Sequence, residues 1–191
     1  MPKVRTLSKR FPKGHIRHGE QTYFVEKVLN SLLIDCYSEE YLEMLVKLNS
    51  GKDKEMILSF YLSIGWEKEY EEKHHTIRAG HHFETGEEIQ LAVWSGKPYA
   101  SPQIKICPPL KVKCYDFEVF HNTMPQGIEW PLLVDGYDTD IEQVSKNDGL
   151  TVEDFNSWFK YPSPFVGQII AWNDPIYQNH ENTSQRLGSN D

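Results

Sequence analysis

Apolar residues in the first third of the chain recur every three to four positions. Over residues 22–33, Phe24, Val28 and Leu32 share one face with Leu29 alongside, which predicts an amphipathic helix. Residues 38–49 open on Ser38 followed by two glutamates and stop at Asn49-Ser50-Gly51, the start and stop signals of a second helix. Met56, Ile57, Phe60 and Ile64 define a third over 53–64, so the second and third form an αα-hairpin. From residue 75 the period shortens to two. Glu88–Trp94 alternates Ile89, Leu91 and Val93 with Gln90, Ala92 and Trp94, and further strands are predicted at 103–107 and 111–120. In the last of these the apolar phase flips near residue 114, as at a bulge or a barrel corner. A loop with turn residues follows. Then Thr151 caps a helix whose buried face is Phe155, Trp158 and Phe159, with Leu150 and Phe155 spaced as a hydrophobic staple. Residues 165–172 close the pattern as a strand, and the polar, aperiodic stretch 174–191 is predicted to be disordered. The fold class is α+β, a curled sheet of about five strands with flanking helices.

A length of 191 residues suits one domain, here 1–173, and is long enough to bury a core. Three cysteines, Cys36, Cys107 and Cys114, form no C-x-x-C pair and read as buried thiols of a reducing compartment, so a cytoplasmic protein is expected. No apolar run approaches the roughly 18 residues of a membrane span, and the N-terminus lacks the apolar stretch of a secretory signal. The formal net charge of −8 is uneven: residues 1–19 hold six Lys/Arg and no acid. Such an arm either attracts nucleic acid locally or lies across the acidic body.

The densest chemistry is KHHTIRAGHHFETG, residues 73–86, with four histidines. Neighbouring residues on a strand point to opposite faces, so His74-His75 and His81-His82 each offer one imidazole to a common site. With no cysteine at ligand spacing, no metal and no other cofactor are expected. Thr76 and Arg78 share a strand face, a hydroxyl beside a guanidinium that suits a phosphate or carbonyl oxygen. The bland alternative is an Arg paired with a surface carboxylate and a Thr chosen for β propensity. Lys73 joins Thr76 only from the connection before the strand. In WSGKPYASPQ, Trp94 and Tyr99 flank a Gly-Lys-Pro turn with Lys97, a pattern suited to base stacking and phosphate neutralisation, or to core and turn roles alone.

The order helix, K-x-x-T-I-R (Lys73, Thr76, Ile77, Arg78), H-F-x-T-G-E (His82, Phe83, Thr85, Gly86, Glu87) and alternating strand resembles the ASCH domain of the PUA-like superfold. NDGLTVEDFNSWF is similar to that family's helix near the C-terminus, and the resemblance covers about half the chain by length of matched segments. It implies a curled mixed β-barrel with flanking helices and recognition of RNA or of a nucleoside or nucleotide. The likeness extends to small bacterial amidohydrolases that remove the acetyl group from N4-acetylcytidine. These imply a catalytic Lys73, Thr76 and Asp148; for a binding module the expected pocket is lined by Thr76, Arg78 and Trp94, with Lys73, Lys97 and Tyr99 at its rim. Two departures stand out. Asp148 occupies the place of a Glu, and being one methylene shorter it falls short unless its loop moves inward. A helical insertion, about residues 36–72, separates the first helix from Lys73 and offers a surface for a protein partner. Three readings follow: a binding module for a nucleobase, nucleotide or RNA, an amidohydrolase of N4-acylated cytidine, and a protein-interaction module using the insertion.

Overall fold

The computed structural model describes residues 2–65, 70–120, 131–160 and 164–173. The expected disordered segment 174–191 lies outside them. Among the described residues nine strands and five helices alternate irregularly, so the class is α+β. They are β1 (Lys3–Thr6), α1 (Phe24–Ser31), α2 (Glu39–Leu48), α3 (Lys54–Leu62), β2 (His75–Ala79), β3 (Glu88–Trp94), β4 (Gln103–Lys105), β5 (Leu110–Lys111), β6 (Lys113–Val119), β7 (Leu132–Val134), β8 (Tyr137–Asp138), α4 (Ile141–Asn147), α5 (Val152–Trp158) and β9 (Phe165–Ala171). Among the described residues no helix is long and apolar enough to cross a membrane.

The strands form two sheets rather than the expected single sheet of about five. One joins β1, β3 and β4, with β5 also on β3; the other runs β2-β9-β6-β7-β8. The apolar phase flip near residue 114 marks the transfer between them. β5 pairs with β3, Val112 is buried at the junction, and the chain then enters the second sheet as β6. After the corner Tyr115, Phe117 and Val119 take over the inward face.

The helices follow their sequence signals. Ser38 accepts a hydrogen bond from Tyr41 N at the start of α2, and Thr151 from Asp154 N at the start of α5. Leu150 and Phe155, the staple pair, are both buried. The region read as loop before residue 148 instead contains β7, β8 and α4. Asp135 and Gly136, with φ of 51° and 80°, form the two-residue turn joining β7 to β8. Consecutive positive φ values are what an Asp-Gly hairpin turn requires.

The basic segment 1–19 is built into the body. β1 lies parallel to β3, Leu7 and Phe11 are buried, and Lys3 pairs with Glu87 at 2.7 Å. Arg17 reaches Glu20 at 2.8 Å and Asp154 at 3.0 Å. His15 is buried against Phe11, with ring centroids 4.3 Å apart.

Candidate functional site

Two neighbouring hollows meet at Arg78. The inner one is a cavity of about 20 Å³ whose wall includes Phe24, Lys73, Thr76, Arg78, Asp148 and Trp158. That volume holds roughly one water. Lys73 precedes the first residue of β2, so it escapes strand alternation and turns to the same side as Thr76. It is 1% exposed, among the most buried side chains of the protein.

The ammonium of Lys73 donates to Asp148 twice, to Oδ1 at 2.5 Å and to the backbone oxygen at 2.6 Å, and lies 4.1 Å from the centroid of the Phe24 ring. Asp148 thus reaches Lys73 from the loop after α4. Gly149 follows α4 in the left-handed region, φ 70°, which ends the helix. A Cβ there would stand 3.1 Å from Lys27 Cδ and 3.2 Å from Lys73 Cβ, so the close approach suits glycine. Two bonds fix the loop, Lys27 Nζ to Gly149 O at 2.7 Å and His74 N to Asn147 O at 2.8 Å, while Lys73 N to Lys27 O at 3.0 Å anchors Lys73 itself to α1.

Burial governs the protonation of this pair. It lowers Lys73 to about 8, opposed by the charge and hydrogen bond of Asp148. It raises Asp148, opposed by the charge and hydrogen bond of Lys73. At pH 7 roughly a tenth of such lysines carry a neutral amine. His75, also buried, with Nε2 3.6 Å from Asp148 Oδ1, is pushed well below the ordinary imidazole value by desolvation and then by the Lys73 charge. It is a neutral ring at pH 7.

Thr76, also buried, has no hydrogen-bond partner for its hydroxyl among the described residues, and Lys73 does not bond to it. Arg78, half-buried, donates through Nη2 to Thr6 O of β1 at 2.9 Å and ties the two sheets together. It also lines the outer hollow, an open groove of about 520 Å³. Arg5, His82, Trp94, Tyr99 and Gln103 stand around that groove, whereas Lys97 is not among its lining residues. The rings of Trp94 and Tyr99 lie 5.4 Å apart. Tyr99 is 90% exposed and has φ of 62°, a conformation unusual for an aromatic residue. Its turn is closed by Ser95 N to Pro102 O at 2.9 Å and Gly96 N to Ser101 Oγ at 2.9 Å.

Arg5, Gln103 and Gln168 carried no signal in the chain order. Gln168 of β9 is buried. Its Oε1 accepts from His82 N at 2.7 Å and Phe83 N at 2.9 Å, and its Nε2 donates to Phe83 O at 3.0 Å. It clamps the turn that carries His82 to the groove. A glutamine in the otherwise apolar run of β9 was the available hint. The remaining histidines disperse: His74 meets Glu72 and His81 meets Asp116, each at 2.9 Å. Among the described residues no three His, Cys, Asp or Glu side chains gather as metal ligands. Cys36 and Cys107 are buried and Cys114 is half-buried, all as free thiols.

Comparison with known protein families, curated proteins and solved structures returned no match.

Proposed function

We propose that the protein is an ASCH-type module with a PUA-like curled barrel, and that it recognises a nucleobase, carried by a nucleoside, a nucleotide or RNA. The observation that carries this reading is the position of Arg78, shared by a small inner cavity with Lys73, Thr76 and Asp148 in its wall and by an open groove flanked by Trp94 and Tyr99. A planar ligand in the groove stacks on the aromatic pair and directs its polar edge toward Arg78. Buried donors and acceptors beside an apolar platform are the means by which base edges are read. Titration of Trp fluorescence with ribonucleosides and a single-stranded oligoribonucleotide tests it. Saturable quenching, weakened tenfold or more in Arg78→Ala, is the expected result. Binding indifferent to both Arg78→Ala and Trp94→Ala sinks it. Point variants are preferable to deletion of residues 1–19, because that deletion removes β1 from its sheet.

A second reading is favoured by the lowered Lys73 in contact with Asp148 beside Thr76. In an amidohydrolase of N4-acylated cytidine, a neutral Lys73 amine takes the Thr76 proton, and Thr76 Oγ1 attacks the acyl carbonyl. Arg78 stabilises the oxyanion, the proton passes to the leaving cytosine amine with help from Asp148, and water then hydrolyses the acyl ester on Thr76 to release the acid and restore the hydroxyl. This route requires Lys73 to exchange Asp148 for Thr76 and the cavity to widen beyond one water. Release of cytidine from N4-acetylcytidine, abolished in Lys73→Ala, supports hydrolysis. Absence of release, with nucleoside binding retained, leaves the binding module.

A further inference from the structure

We propose that the open groove is a phosphate-ester site: Arg5 and Arg78, with His82 at the rim, hold the phosphate of a nucleotide or of a single-stranded nucleic-acid backbone beside the base carried by Trp94 and Tyr99. This rests on the nucleobase reading above and adds to it two residues, Arg5 and His82, and a ligand class.

The groove stands out by charge. The chain carries 28 acidic against 20 basic residues, yet the ionisable residues lining the groove are Arg5, Arg78, His82 and Tyr99, with no carboxylate among them. Some of the chain's cations are matched by carboxylates, Lys3 by Glu87, Arg17 by Glu20 and Asp154, Lys73 by Asp148. Arg5 is not. It forms no ion pair with a described carboxylate, and its Nε is buried without a hydrogen-bond partner among the described residues. Its guanidinium carbon sits 4.8 Å from the centroid of the Phe83 ring, which fixes the plane of the group without neutralising it.

Arg78 arrives from the other sheet and commits Nη2 to Thr6 O, leaving further donors. Burial lowers Arg78 and the charge of Arg5 adds to this, while Asp148 on the inner side opposes it. Two guanidinium groups held together with no carboxylate in their groove make a site that an anion completes. Their planar forks match the oxygens of a phosphate. The volume of about 520 Å³ falls within the range of small-ligand pockets. The shared chemistry, a phosphate oxyanion next to a planar base, fits a free nucleotide and a nucleic-acid strand alike.

Isothermal titration of the full chain at low and high salt tests the inference. The probes are the four common ribonucleosides, their 5′-monophosphates, ribose 5-phosphate and a single-stranded oligoribonucleotide. At low salt the best monophosphate is expected to bind about tenfold tighter than its nucleoside, a gap that narrows as salt rises. Arg5→Gln, checked for folding by circular dichroism, should bring the ratio near one by weakening the monophosphate more than the nucleoside. Arg5→Lys should retain part of it. Equal binding of nucleoside and monophosphate, or a preference untouched by Arg5→Gln, overturns the phosphate site and leaves the nucleobase reading standing. Ribose 5-phosphate binding as well as any monophosphate keeps the site and overturns the nucleobase reading. No binding of any probe overturns both. Tighter binding of the oligonucleotide identifies a strand backbone as the source and tighter binding of a monophosphate a free nucleotide; either supports the site where Arg5→Gln weakens it.

Discussion

The inner cavity and the outer groove share Arg78 but hold charge in opposite ways. Inside, Lys73 and Asp148 satisfy each other at 2.5 Å, and desolvation pushes both toward neutrality. Outside, Arg5 and Arg78 line a wet groove with no carboxylate in its wall. A buried pair that answers its own charge contributes position and rigidity. A pair of like charges at the surface contributes affinity for something else. The two regions should therefore fail differently when perturbed, one in stability and the other in binding.

The largest expected effect lies inside. Asp148→Asn leaves an ammonium buried without its counter-charge, at a cost of about 3–5 kcal/mol. The sign with pH follows from Lys73, whose folded value, already lowered to about 8, falls further without the acid. The unfolded chain then binds more protons between that value and roughly 10.4, so stability recovers as pH rises through this window. Urea unfolding at pH 6 and pH 10 should show the larger deficit at pH 6. An equal deficit at both would mean that the charge on Lys73 is not the cause.

The double variant Lys73→Met, Asp148→Asn comes next. Removing both charges should restore about 2 kcal/mol or more of the loss, because a buried ion pair is often replaceable by uncharged groups. A double variant no better than Asp148→Asn alone would argue that the loop geometry, rather than charge, was lost.

His75 gives a smaller effect. Its folded value lies well below the ordinary one, so the unfolded chain takes up the proton first as pH falls below about 6.5. Stability should then decline at up to about 1.4 kcal/mol per pH unit. His75→Asn should flatten that slope. An unaltered slope in the variant would assign acid sensitivity elsewhere.

The smallest effect on stability, and a clear one on binding, belongs to the groove. Tyr99→Gly relieves a left-handed aromatic and should leave stability within about 1 kcal/mol of the parent. Loss of a stacking surface should weaken a base-bearing ligand by about 1–3 kcal/mol. Unfolding by this variant, or unchanged binding, would erase the distinction between the two regions.

Much of the fold was legible in the chain. Ser38 and Thr151 announced their helices through capping chemistry, and β2, β3 and β9 were visible as strands. β1 was hidden because Lys-Val-Arg-Thr has one apolar residue and its partner is a parallel strand more than eighty positions away. The β7–β8 hairpin carried an Asp-Gly signal inside a stretch read as loop. The phase flip near residue 114 gave the corner but not the sheet on the far side. Of the site, Thr76 and Arg78 were paired by strand alternation, whereas Lys73 and Asp148 were named as catalytic only through the family resemblance. That Asp148 reaches Lys73 depends on the path set by Gly149 and its anchors, which spacing does not encode. Arg5 was obscured for a related reason: among six basic residues in the arm, only tertiary packing shows which one shares a groove with Arg78.

The placement of β9 bears on how the molecule comes into being. β9 pairs with β2 on one side and β6 on the other, so two strands made early wait for one made late. Such distant pairings slow the search for the native state. On the ribosome Thr76 and Arg78 thus have no sheet to stand in until residue 171 has emerged, and any recognition they perform belongs to the finished chain alone.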